Sequence, residues 1–174
     1  MKLEKHIRTV PHFPKEGIMF KDITTLLKHK DAFRFAIKEF TERYRDSGIT
    51  KVVGAESRGF IFGAVLAHEL NCGFVPARKK GKLPAKSISE EYELEYGTDS
   101  LHMHEDAIEK GDKVLVVDDL IATGGTVKAV CDMVKKLGGT VVECSFLIEL
   151  TFLKGREKLG NIPAFSLITY DSEE

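Results

Sequence analysis

Residues 114–126 read VLVVDDLIATGGT, and this stretch indicates the fold class. Four apolar residues predict a buried strand, and two carboxylates, Asp118 and Asp119, stand at its end. The turn 122–126 leads directly into a segment with an apolar residue at every third or fourth position, which predicts a helix. In α/β proteins, ligands bind beyond the carboxyl ends of the strands. We therefore expect the functional site at the two aspartates and the turn that follows them.

Working outward, other apolar runs predict further strands near 51–55, 74–77, 141–150 and 164–169. Helical periodicity predicts two more helices, near 33–44 and 60–70. The order strand–helix–strand occurs twice, which predicts parallel strand pairs and an α/β sheet covered on both faces. No repeat or linker divides the chain, so we expect one domain over 1–174. Residues 79–95 are highly charged and predict a long loop that is either functional or disordered.

The charge balance limits the kinds of partner. The chain has 174 residues with 26 basic and 27 acidic side chains, for a net charge of −1. A general nucleic-acid or membrane-surface binder would show a basic face, so neither partner is expected. Cys72, Cys131 and Cys144 show no pairing pattern, and neither a signal peptide nor a membrane span is visible. These features predict a soluble protein of the cytoplasm.

The residue types in the central stretch suit a phosphorylated sugar. Glycines let the backbone approach a ligand closely, and successive amides at a helix N-terminus can cradle a phosphate. The candidate phosphate-binding residues are Ala122, Thr123, Gly124, Gly125 and Thr126. Asp118 and Asp119 can accept hydrogen bonds from two neighbouring hydroxyls of a 5-phosphorylated ribose. A paired aspartate after a strand also occurs in receiver domains, but those place the pair near the start of the chain and lack the TGGT turn.

Residues 114–126 resemble the phosphoribosyl-diphosphate (PRPP) signature of the type I phosphoribosyltransferases. Five further segments are similar to the adenine phosphoribosyltransferases within that family: 13–24, 56–63, 78–84, 94–97 and 149–159. The resemblance implies a type I phosphoribosyltransferase fold, with a mostly parallel central sheet flanked by helices. It also implies a small N-terminal hood (1–29) and a mobile lid loop (79–95). The implied reaction transfers 5-phosphoribose from PRPP to adenine, giving AMP and pyrophosphate.

The resemblance also implies roles for individual residues. Glu95 would be a catalytic carboxylate that handles a proton of the purine, with Tyr96 beside it at the base of the lid. Arg58 would touch the departing pyrophosphate, in a loop where a cis peptide bond precedes Ser57. The pyrophosphate-binding set is Glu56, Ser57, Arg58, Lys82 and, from the partner subunit of a homodimer, Arg78, with Lys79 and Lys80 as additional cations. Mg²⁺ would be carried by PRPP, without direct protein ligands.

The base site would lie in the hood, at Met19, Phe20 and Lys21, with Leu150 packing near the ring. A backbone N–H facing N1 and a carbonyl facing the 6-amino group would accept adenine. Hypoxanthine and guanine would leave both groups unsatisfied, since they carry a proton at N1 and an oxo group at position 6. Two alternatives remain open: a transferase for another purine, such as xanthine or hypoxanthine, and a PRPP-sensing regulator without catalytic activity.

Overall fold

The computed structural model describes residues 1–94 and 96–173. Its strands are β1 Arg8–Pro11, β2 Met19–Asp22, β3 Lys51–Ala55, β4 Gly73–Lys79, β5 Ser87–Glu93, β6 Thr98–His104, β7 Lys113–Ile121, β8 Thr140–Leu150 and β9 Ala164–Tyr170. Its α-helices are α1 Thr24–Leu27, α2 Lys30–Tyr44, α3 Arg58–Glu69 and α4 Gly125–Lys136. Three 3₁₀ helices, η1 Leu3–His6, η2 Thr151–Leu153 and η3 Gly155–Leu159, complete the secondary structure.

Across the described residues, the main sheet has the strand order β5-β6-β4-β3-β7-β8-β9. The pairings from β4 through β3, β7 and β8 to β9 are all parallel, whereas β6 joins β4 and β5 in antiparallel fashion. The predicted mostly parallel sheet is therefore confirmed. Strand β7 lies near its centre, which places Asp118 and Asp119 at the carboxyl edge.

Helices cover both faces of this sheet, and strand β7 contributes side chains to each side. Val114 and Val116 pack in the cluster that contains α4, while Leu115 and Val117 pack in the cluster that contains α2 and α3. All four are essentially inaccessible to solvent. Each such side chain contributes roughly 1.5–3 kcal/mol by leaving water. Burial on both faces explains why this strand is continuously apolar rather than alternating.

A second, two-stranded sheet forms the N-terminal hood. Strands β1 and β2 pair antiparallel, with Thr9 opposite Lys21. The Lys21 ammonium donates a hydrogen bond to Thr9 Oγ1 at 3.0 Å and lies 4.2 Å from the centre of the Tyr170 ring at the end of β9. Burial lowers the pKa of Lys21. This side chain therefore connects the hood to the last strand of the main sheet.

The segment 79–95 differs from the expected continuous loop, because residues 87–93 form strand β5 and pair with β6. Its side chains alternate between exposed and partly buried, and Ile88 and Tyr92 pack against the core. Glutamates fill the positions between and beside these residues, so the high charge conceals the two-residue period of a strand. The role of the segment as a mobile lid stays a prediction.

Candidate active site

A cavity of about 250 Å³ lies where β7 ends and the helices α3 and α4 begin. Ten of its lining residues were predicted from the sequence: Glu56, Ser57, Arg58, Asp118, Asp119, Ala122, Thr123, Gly124, Gly125 and Thr126. Lys79 and Tyr92 also line it. The structure thus gathers two segments about sixty residues apart in sequence around one space.

The predicted phosphate loop (122–126, hereafter the phosphate loop) presents mainly backbone groups to the cavity. Gly124 has φ of +88° and stands just before the first residue of α4. A side chain at Gly124 would collide with the carbonyl oxygen of Gly155, and one at Gly155 would come within 2.5 Å of the Ala122 carbonyl oxygen. Because α4 runs for twelve residues, its first amides carry the positive end of a helix dipole. This loop is suited to hold a dianionic phosphate.

The two aspartates differ in their surroundings. Asp119 is buried and its Oδ2 accepts a 2.5 Å hydrogen bond from Arg58 Nε. Asp118 Oδ1 accepts a hydrogen bond of 2.8 Å from the Asp119 backbone amide. Burial, together with the neighbouring Asp119 charge, raises the pKa of Asp118 well above its ordinary value. The pair can therefore present one ion-paired carboxylate and one carboxyl group with a raised pKa to a ligand's hydroxyls.

Arg58, the first residue of α3, connects the aspartates to the hood. Burial acts to lower its pKa, but the charge and hydrogen bond of Asp119, together with the charges of Asp118 and Asp22, outweigh that effect and the pKa is raised. Its guanidinium lies 5.6 Å from the centre of the Phe20 ring. The cation is thus fixed on the cavity wall beside the hood.

The predicted pyrophosphate loop (56–58) has the expected cis peptide between Glu56 and Ser57. Glu56 Oε1 accepts hydrogen bonds from the Lys79 amide at 2.6 Å and from Arg78 Nε at 3.2 Å. The Glu56 carboxylate therefore supports the end of β4. Arg78, expected to act in the partner subunit, contacts Glu56 of its own chain.

The predicted base site lies next to the cavity rather than in its wall. Phe20 packs edge-on against Phe13, with ring centres 5.2 Å apart. Phe20 is near the cavity through its contact with Arg58, whereas Lys21 directs its side chain towards Tyr170. Met19 and Lys21 contribute their main chain to β2, and Leu150 ends β8. The hood can thus offer backbone groups to a base.

The sequence is similar to proteins of known family, and this similarity agrees with the geometry of the site. A family model for the phosphoribosyl transferase domain matches residues 22–162. Adenine phosphoribosyltransferases of Brachyspira hyodysenteriae and Flavobacterium johnsoniae are 59% and 58% identical to the chain; each match spans 98% of this chain and 100% of the relative. The chain belongs to the adenine phosphoribosyltransferase family.

Solved structures of this family have the same fold. The adenine phosphoribosyltransferase of Thermoanaerobacter pseudethanolicus superimposes with a TM-score of 0.94 at 50% identity, covering 97% of this chain and 98% of that one. The Saccharomyces cerevisiae enzyme, in a complex that contains adenine, superimposes with a TM-score of 0.91 at 42% identity, covering 95% and 96%. The predicted type I phosphoribosyltransferase fold is therefore confirmed.

Three further predicted site residues remain: Glu95, Tyr96 and Lys82. Glu95 lies outside the described residues. Tyr96 is 79% exposed and lies near Lys15, whose Nζ is 5.4 Å from the ring centre. Lys82 is exposed and does not line the cavity.

Sequence reasoning missed a group that we call the lysine cluster: Lys79, Tyr92 and Asp99. Lys79 Nζ is 2.7 Å from Tyr92 Oη and forms an ion pair with Asp99. Burial acts to lower the pKa of Lys79, but hydrogen bonds to Asp99 and Tyr92 outweigh it and the pKa is raised. Lys79 was only one of three candidate cations in its segment. Strand alternation in 87–93 could have shown that Tyr92 points inward.

The described part of the chain offers neither a side-chain cluster for a metal ion nor a helix that could span a membrane. No group of three or more His, Cys, Asp or Glu side chains there could hold a metal ion. No helix among those residues is both long and apolar enough to cross a membrane.

Proposed function

We propose that this chain transfers 5-phosphoribose from PRPP to adenine, giving AMP and pyrophosphate. One observation carries the proposal: a phosphate loop, a pair of aspartates and Arg58 line a single cavity, in a chain 59% identical over nearly its whole length to an adenine phosphoribosyltransferase. The Trypanosoma brucei adenine phosphoribosyltransferase, a structural relative at 30% identity, is described in complex with AMP, pyrophosphate and ribose-5-phosphate.

The cavity suits PRPP in one orientation. The 5-phosphate would bind the amides of the phosphate loop, and the ribose hydroxyls would meet Asp118 and Asp119. The pyrophosphate would then face Arg58 and Lys79, the two cations on the wall. Asp119 fixes Arg58, so little reorganisation is needed as negative charge develops on the leaving group.

In the reaction, N9 of adenine forms a bond to C1 of the ribose. The bond from C1 to the pyrophosphate oxygen breaks, and its electron pair leaves with pyrophosphate. Arg58 stabilises this charge, and the proton displaced from the purine passes to a base, for which we propose Glu95. Removal of one well-placed hydrogen-bond donor, such as the Arg58 guanidinium, typically raises the activation barrier by about 3 kcal/mol.

Adenine would be selected by the hood backbone near Met19 and Lys21, with Phe20 and Leu150 against the ring. The contact of the Lys21 ammonium with Tyr170 and Thr9 supports this assignment, since it keeps the cation away from the base. Backbone donors and acceptors cannot be exchanged by mutation, which makes them a dependable way to discriminate against 6-oxo purines.

Mg²⁺ would enter with PRPP, bound by its pyrophosphate and hydroxyl oxygens, as this ion prefers. Asp118 and Asp119, two of the carboxylates that line the cavity, could support it through water or through the shared hydroxyls. Bound there, the ion would neutralise charge on the leaving pyrophosphate.

We also propose a homodimer in which Arg78 of one subunit completes the pyrophosphate site of the other, and residues 79–95 close over the bound substrates. Because Arg78 contacts Glu56 of its own chain, this part requires its own test. Mixing an Arg78→Ala subunit with an Arg58→Ala subunit restores activity if Arg78 acts across the interface. No recovery in the mixed dimer would place Arg78 in its own site.

A cytoplasmic location is proposed from the cysteines. Cys72, Cys131 and Cys144 are free, although the last two have Sγ atoms 3.4 Å apart. Free thiols in such proximity are typical of a reducing compartment.

The test of the function is AMP formation from PRPP and Mg²⁺ with adenine, run beside hypoxanthine, guanine and xanthine. We expect turnover with adenine and at least a hundredfold less with the other bases. The reason is that unsatisfied hydrogen bonds to those bases would cost roughly 3 kcal/mol. Preferred turnover of a 6-oxo purine would favour the alternative transferase. PRPP binding without turnover of any base would favour the regulator.

A further inference from the structure

We propose that Glu149 and Arg156 are positioning residues that set the phosphate loop through the backbone of Gly155. Neither lines the cavity, and so neither is expected to touch PRPP. The inference deepens the proposed function, since it rests on the phosphate loop binding the 5-phosphate.

The ion pair between these two residues is bidentate. Arg156 Nε and one of its terminal nitrogens donate to the two carboxylate oxygens of Glu149, at 2.7 and 2.6 Å. Glu149 is 6% exposed and also accepts a 2.8 Å hydrogen bond from Ser166 Oγ. Hydrogen bonds from Arg156 and Ser166 lower the pKa of Glu149. A buried carboxylate held by three donors is a rigid support for the helix η3, which contains Arg156.

Arg156 belongs to η3, and two further contacts fix that helix. Its remaining terminal nitrogen donates to the Ala164 carbonyl oxygen at 2.7 Å, which connects η3 to β9. At the other end of η3, Leu159 is buried in the core cluster that contains α4. The helix is therefore held against the ends of two neighbouring strands and cannot shift freely.

Gly155 transmits this position to the phosphate loop. It is buried, and its backbone packs so closely against Gly124 and Ala122 that a Cβ on either glycine would overlap the other chain segment. Gly124 is the residue with positive φ that turns the chain into α4. A shift of η3 by even a fraction of an ångström must therefore move the loop amides that face the phosphate.

A matched ion pair elsewhere provides the control. Arg43 in α2 makes a bidentate pair with Glu143 in β8, at 3.0 and 2.8 Å. The side-chain exposures are also similar, 41% and 12% for that pair against 47% and 8% for Arg156 and Glu149. The Arg43 pair does not border the cavity. Breaking it therefore reports the general effect of losing such a pair.

The experiment measures binding of ribose 5-phosphate and, separately, of pyrophosphate with Mg²⁺, by calorimetry on the wild type, Arg156→Lys and Arg43→Lys. Lysine keeps the charge but cannot make the fork. We expect Arg156→Lys to weaken ribose 5-phosphate about ten- to a hundredfold and to change pyrophosphate binding less than about twofold. Arg43→Lys should change neither. The KM for PRPP should rise in the Arg156 variant while the KM for adenine stays the same.

Glu149→Gln gives a second result should Arg156→Lys fail to fold, with the same selective loss expected. The variant that combines Arg156→Lys and Glu149→Gln should bind ribose 5-phosphate no more weakly than the single variant with the lower affinity. The reason is that both substitutions break the same ion pair. Unchanged binding of ribose 5-phosphate, or an equal loss of affinity for both ligands, would overturn this inference but leave the proposed function standing. If the wild type binds pyrophosphate but not ribose 5-phosphate, the phosphate-loop assignment falls first.

Discussion

The phosphate loop and the lysine cluster border the same cavity but are built in different ways. The loop consists of backbone amides and small residues, and it follows the two aspartates of an apolar strand. The lysine cluster consists of three polar side chains from β4, β5 and β6, held by an ion pair and a hydrogen bond. The two meet where Tyr92 packs against Gly125. We infer that backbone geometry determines where PRPP binds, whereas the side-chain cluster adjusts how firmly its pyrophosphate is held.

The largest effect should come from the aspartates. Asp118→Asn together with Asp119→Asn removes both carboxyl groups and leaves Arg58 without its charged partner. Charge-assisted hydrogen bonds contribute about 1.5–3 kcal/mol each, so PRPP affinity should fall by about a thousandfold. Calorimetric titration with PRPP and Mg²⁺ checks this. Unchanged affinity would refute the ribose assignment.

A somewhat smaller loss is expected from Gly124→Ala. The added Cβ meets the Gly155 carbonyl at a residue whose φ is +88°, so the loop must shift. We expect kcat/KM for PRPP to fall about a hundredfold. Gly111→Ala is the control, because Gly111 also has positive φ, at +91°, but a Cβ there meets no atom within 4 Å. Similar activity losses in both variants would contradict a specific role for the loop.

On the other side of the cavity, Asp99→Asn should have a modest effect. It removes the counter-ion of Lys79 and leaves only Tyr92 to orient the ammonium. Since partly exposed ion pairs contribute up to about 1 kcal/mol, the KM for PRPP should rise about fivefold. Steady-state kinetics at two salt concentrations measure this, and the difference between variant and wild type should shrink at high salt. A loss as large as that of Gly124→Ala would remove the distinction between the two regions.

The smallest effects are on stability, and their signs should be opposite. The pKa of Asp118 is raised, so its contribution to stability is present below its unfolded value and is lost as pH rises through the folded value. Asp118→Asn should therefore unfold at a higher temperature than the wild type near pH 7. The pKa of Asp99 is lowered, chiefly by its hydrogen bond from Lys79, so its contribution is present above the unfolded value and is lost as pH falls. Asp99→Asn should be less stable near pH 7, and the difference should vanish in acid.

Thermal unfolding of both variants across the pH range measures these differences. We expect the Asp118 carboxyl group to lower the stability of the folded protein near pH 7, as functional groups often do. An Asp118→Asn variant that unfolds at a lower temperature than the wild type would contradict this.

The same contrast explains how much could be predicted from the sequence. Strand β7 and its glycine turn were predicted because an apolar run and a TGGT turn are local signals that require no knowledge of distant residues. The Glu149–Arg156 pair and the support by Gly155 were not predicted, since they join residues whose proximity only the packed structure reveals. Tyr92 was missed because the glutamates around it conceal a strand within a segment read as a loop.

The central claim is that the phosphate loop and the two aspartates hold opposite ends of one phosphorylated pentose. A crystal structure with PRPP and Mg²⁺ tests it most directly. We predict density for the 5-phosphate at the amides of 122–126 and for the ribose hydroxyls at Asp118 and Asp119, with pyrophosphate towards Arg58. A 5-phosphate bound elsewhere, with the loop turned away from it, would contradict the account.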